Sequence, residues 1–120
     1  MSGVTKHSMI MPKLVTPHTM RACYDFLRVV AFEGCKLPKS VRFVAKPLRD
    51  KHGLYEYPPH VISLDTGIRS LVKMMQVMAH EMCHVALEKT GYCDHDKHDH
   101  HFKALANIIC AEMGWPRGSV

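Results

Sequence analysis

The chain has 120 residues, with 16 Lys+Arg against 11 Asp+Glu and a formal net charge of +5 with histidine neutral. That length supports one domain spanning 1–120, and hydrophobic and charged fractions of 47% and 22% are ordinary globular values that exclude fibrous and disordered classes. No apolar run approaches the ~20 residues that span a bilayer, and the opening residues lack an apolar core with a cleavage site, so no membrane partner and a cytoplasmic location are expected.

Thr16-Pro17 reads as an N-cap with proline at the first helical position, and Gly34 as a stop. Between them Met20, Tyr24, Leu27, Val30 and Ala31 recur at the spacing of one buried helical stripe. Val41 to Ala45 is β-branched and aromatic and closed by Pro47, and Tyr55-Glu56-Tyr57 and His60 to Leu64 read as one or two further strands after a turn at Asp50 to Gly53. The links are too short for helical crossovers, so a sheet of about three strands, mostly antiparallel, is expected. A second helix should run from Ile68 to Lys89, with Asp65 or Thr66 as its cap and Gly91 as its end. It is apolar nearly all round, which marks a central, buried helix. A His/Asp-rich stretch then leads into a third helix, Phe102 to Met113, ended by Gly114 and Pro116. The ordered core should cover about residues 16–116, with loose ends. The class is α+β.

Five cysteines with no C-x-x-C pair indicate reduced, mostly buried thiols, whereas ten histidines are unusual. His80 and His84 lie one helical turn apart on the same face, close enough to chelate one ion. With Glu81 they make H-E-x-x-H, in which two imidazoles hold Zn²⁺ and the glutamate accepts a proton from the activated water. Two imidazoles and a carboxylate inside an apolar helix would cost several kcal/mol of desolvation unless something satisfied them. One Zn²⁺ per chain is therefore expected, with Glu81 as general base.

A catalytic zinc usually takes a third protein ligand. The extended H-E-x-x-H-x-x-G-x-x-H pattern is absent, because Leu87 and Thr90 occupy the places of its glycine and third histidine. If the third helix begins near Asp96 or Lys97, then Phe102, Leu105 and Ile109 fall within about 40° of His98, which makes His98 the third ligand. His101 and then His95 are the alternatives, while His100 points to the far side. Glu112 could serve instead, but it lies about 21 Å along a continuous helix from His98, so the two cannot share an ion.

The order of helix, small sheet, His80-Glu81-Met82-Cys83-His84 and then His98-x-x-x-Phe102-Lys103-Ala104-Leu105 resembles the SprT-like zinc metallopeptidase domain, including its Spartan-type members. The likeness spans roughly Thr19 to Met113 and includes a strand of the I-x-L kind, Ile62-Ser63-Leu64. Asp99 stands where that family usually has glycine, and the family's C-terminal zinc ribbon or partner-binding tail is absent from this sequence. The resemblance implies a minimal zincin-like domain with the third ligand supplied near the C-terminal helix, peptide-bond hydrolysis, a protein or peptide substrate, and often a link to DNA-associated proteins.

Other residues admit quieter readings. Cys83, inside the motif, packs as a small hydrophobe. Asp94, Asp96 and Asp99 could accept from a ligand imidazole or simply be solvated. Tyr92, Tyr55, Tyr57 and His60 could each polarise a substrate carbonyl, and nothing in the sequence selects among them. The histidine run from His95 to His101 could take a second metal adventitiously. Lys36, Lys39, Arg42, Lys46, Arg49 and Lys51 form either a solvated face or a weak nucleic-acid contact. The alternatives to a peptidase are a non-catalytic zinc-containing module that binds nucleic acid or protein, and a zinc hydrolase of a non-peptide substrate.

Overall fold

The computed structural model describes residues 13–89 and 98–120. Helix α1 is Pro17–Val30. The Thr16 hydroxyl accepts from the Thr19 amide at 3.1 Å while the Thr19 hydroxyl accepts from the Thr16 amide at 2.9 Å, a reciprocal box that satisfies two otherwise orphaned donors. Met20, Cys23, Tyr24 and Leu27 form its buried stripe. Val30, expected on that stripe, faces solvent at the helix end, and Ala31 caps the last turn by donating to the Leu27 carbonyl. The Tyr24 ring meets Phe43 edge-on at 5.4 Å, which fixes α1 against the first strand.

The strands are β1 (Arg42–Lys46), β2 (Gly53–Glu56) and β3 (Val61–Asp65), in the order β1-β3-β2. The α+β class and the three strands hold, but the pairing corrects the mostly antiparallel expectation. β2 pairs antiparallel to β3, whereas β1 pairs parallel to β3 from Arg42↔Val61 to Lys46↔Asp65. The short-link argument applies to consecutive strands only. Here β2 itself makes the return trip at the far edge, so β3 comes back alongside β1 without a helical crossover.

Helix α2 is Leu71–Lys89, three residues shorter at its start than expected. Asp65 does not cap it: Asp65 ends β3, and its carboxylate accepts the Leu48 amide at 3.0 Å. Ser70 takes the capping role, accepting the Lys73 amide at 3.2 Å. Leu71 and Val72 on the first turn are exposed, while from Met74 onward the helix is the centre of the molecule, packed by α1, β2, β3 and the last helix. That last helix, α3, is His100–Met113, with Asp99 as N-cap and Gly114, at φ 71, as a left-handed C-cap. The expected loose ends are partly packed, since Val15 is fully buried and Leu14 and Val120 lie against the core. No disulfide joins the described cysteines, and Cys23, Cys83 and Cys110 are buried.

Candidate metal centre

The interior of α2 places His80, Glu81 and His84 on the side that faces β2 and the start of α3. His84 and Glu81 are 7% and 6% exposed, values rarely reached by such groups unless something compensates them. His98 joins them from outside any helix. Its Nε2 lies 3.1 Å from His80 Nε2 and 3.2 Å from His84 Nε2, and the ring nitrogens of all three sit within 4.8 Å of one another.

That spacing passes a chemical test. Three ligands at ~2.0–2.1 Å around a tetrahedral Zn²⁺ stand about 3.3 Å apart, close to the separations observed. Hydrogen bonding alone satisfies the arrangement poorly, because His98 Nε2 faces two other ring nitrogens and carries at most one proton. A cation at the centre would satisfy every lone pair at once. Burial, then the proximity of His84 and His98, pushes the His80 imidazole down to about 4, with the Val120 backbone acting weakly in the opposite sense. At neutral pH the ring is therefore uncharged, the form a metal requires.

Phe102 organises the cluster. Its ring lies 4.8 Å from His80, 4.7 Å from His84 and 4.6 Å from His98, so one buried aromatic on the first turn of α3 braces all three imidazoles. Asp99 sets that turn: its Oδ1 accepts the His101 amide at 3.0 Å and the Phe102 amide at 3.2 Å. The sequence offered Asp99 as a ligand's hydrogen-bond partner or a solvated residue, and it is a helix cap. The capping signal was present, an aspartate three residues before a buried aromatic, but the run of alternating His and Asp obscured it.

His98 is thus where the helical phase put it, but for another reason. The helix starts only at His100, so rotation about α3 does not govern His98; the capped turn and Phe102 do. His100 is exposed, and His101, half-buried beside it, is outside the cluster. Glu112 is exposed near the far end of α3. His95, Asp94, Asp96, Tyr92 and Cys93 lie outside the described residues. Cys83 is fully buried and packs in the core.

A cleft of about 470 Å³ opens beside the histidines and includes Gly53, Leu54 and Tyr55 of β2 in its wall. Of the carbonyl-polarising candidates, Tyr55 lines it, with its hydroxyl 2.6 Å from His60 Nδ1. Tyr57 tilts against His60 at 4.6 Å, and neither of those two is part of the wall. Gly53 is a close-packing position beside Glu81 that the turn reading missed. A Cβ there would stand 2.8 Å from Val77 Cγ1 and 2.9 Å from Glu81 Oε2, so only glycine lets β2 come this close to the glutamate.

An α+β fold whose central helix and capped turn converge three imidazoles defines a protein with a candidate His₃ metal centre. The SprT-like family model matches residues 20–117, and the chain belongs to the SprT-like family. A search of curated proteins finds no match to the chain.

Proposed function

We propose that the protein is a zinc-dependent metallopeptidase. The observation that carries this reading is the position of β2. It is an edge strand of the sheet, its outer edge is unpaired among the described residues, and it, not the other edge strand β1, borders the cleft that holds His80, Glu81, His84 and His98. An unpaired strand edge offers backbone donors and acceptors to an extended peptide and would lay its carbonyls alongside the histidines. His80, His84 and His98 would hold the ion, which when bound supplies Lewis acidity that polarises the scissile carbonyl and eases deprotonation of the attacking water. Glu81 accepts that water's proton and delivers it to the leaving amine as the C–N bond breaks. Its burial beside Val77 and Gly53 keeps the carboxylate fixed and shielded from bulk water.

Within the same reading the partners are a protein or peptide substrate and, weakly, nucleic acid at the exposed basic residues of β1 and its flanks. No helix among the described residues is long and apolar enough to cross a membrane. The described cysteines, none of them in a disulfide, suit the reducing cytoplasm, where we place the protein. Glu81→Gln tests the mechanism: metal content should be retained and cleavage of an unfolded protein substrate should fall by at least ~10³-fold. Undiminished cleavage by that variant would overturn it.

A further inference from the structure

The cleft is unevenly charged. Lys51 and His52, at the end of the β1–β2 link, and Lys73, on the first turn of α2, line it and are exposed. Glu81 is the one carboxylate among the described lining residues, and it is buried. The described ion pairs, Arg21 and Arg28 with Asp25, lie on α1, so among the described residues no carboxylate comes within ion-pair distance of either lysine.

These cations gather at one end. Lys73, Val77, Glu81 and His84 follow one stripe of α2, and β2 runs beside it in the same sense, with Gly53 against Val77 and Glu81 and with Tyr55 in the field of Glu88. The opposite end, past Tyr55, is mixed: Glu88 and Lys89 both act on His60 beside Tyr55, and neither they nor Glu56 line the cleft. A nucleic-acid backbone would need cations spaced along the whole groove to match its phosphates. The cleft instead carries its described lysines, Lys51 and Lys73, at one end and none further along its wall, which suits a single localised acid. Along α2, Lys73 precedes His80 by about 10 Å, which an extended peptide covers in about three residues.

The geometry points to a subsite for an acidic side chain about three residues from the bond to be cut, selected by Lys51 and Lys73. This rests on the peptidase reading. It is tested with zinc-loaded Glu81→Gln protein and labelled peptides that differ only in Asp against Asn on either side of a fixed centre, followed by fluorescence anisotropy. An Asp on one side should tighten binding about fivefold at low salt, with the preference fading at high salt. The Lys51→Glu/Lys73→Glu protein should reverse the preference; both positions are exposed, so circular dichroism should show an unchanged fold. Equal affinity for the two peptides, or a preference that survives the double substitution, would overturn the subsite. Cleavage of the same peptides by the unsubstituted protein separates the two ideas. Charge-selective binding without any cleavage leaves the subsite standing and defeats the peptidase reading, whereas cleavage with no charge selectivity in binding defeats the subsite alone.

Discussion

His80 and His84 are built into the most buried helix of the molecule, whereas His98 is exposed and precedes a helix; the two sides of one cluster are held by different physics. On α2 the pair geometry follows from the helical repeat, and any α-helix carrying H-E-x-x-H would reproduce it. On the other side nothing repeats. His98 reaches the cluster because Asp99 caps α3 and Phe102 gives the ring a surface to lie on. A metal site can thus be half a property of a spacing and half a property of a turn, and the second half is easier to perturb.

The largest effects should expose that asymmetry. His80→Ala, His84→Ala and His98→Ala should each weaken zinc binding by more than the 10–100-fold typical of losing a ligand's outer hydrogen-bond partner. Their metal-free proteins should differ. His98→Ala should melt like the parent, because the ring is exposed, while His84→Ala should melt at a different temperature, because it empties a core position. Competition with a chelator and thermal melts of the stripped proteins measure both. A His98→Ala variant with parental zinc affinity would break the comparison.

Next in size is Phe102→Ala. Removing a buried aromatic in contact with all three imidazoles should cost about 3–5 kcal/mol in denaturant unfolding and weaken zinc binding as well. If metal affinity were unchanged in the folded variant, Phe102 would be filling space and not bracing the rings.

How much of this could be read in the residues follows the same divide. The H-E-x-x-H pair and the N-cap with its following proline at Thr16-Pro17 were legible because each is a local pattern with a fixed period or offset, whereas the reciprocal bond from Thr19 was not. The parallel β1–β3 pairing was not, since it depends on which edge β2 takes, and link length carries no such information. Val30 sits at the margin of the α1 stripe, where a helical wheel alone does not separate buried from exposed. Gly53 resembled any turn glycine, and its meaning appears only when Glu81, distant in sequence, arrives beside it.

Gly53→Ala sharpens the contrast between holding an ion and using it. The added methyl's nearest neighbours are Val77 and the Glu81 side chain, with no histidine atom as close, so the glutamate end should be displaced. Zinc affinity should stay at the parental level while kcat falls about 10–100-fold, the scale of an ångström-level misplacement. Parental kcat in a correctly folded Gly53→Ala protein would mean that the position of Glu81 is not critical.

The smallest effect concerns the cap that sets the exposed side. Hydrogen bonds from the Phe102 amide, then from that of His101, hold the Asp99 carboxyl below its ordinary value. A folded-state value below the unfolded one contributes stability that is present above the unfolded value, near pH ~4, and is lost as the pH falls through the depressed value. The cap is therefore intact across the whole neutral range, and loss of zinc on mild acidification should come from protonation of the imidazoles, with α3 still formed. Asp99→Asn keeps an acceptor of nearly equal capping strength and should leave zinc affinity almost unchanged at pH 7, whereas Asp99→Ala removes it, frees the first turn and should weaken zinc binding several-fold. Amide exchange at His101 and Phe102 reports the cap directly: faster exchange in Asp99→Ala alone, alongside its weaker zinc binding, ties His98 to the capped turn. Parental zinc affinity in Asp99→Ala with those two amides exposed would show that Phe102 alone suffices to hold the third imidazole.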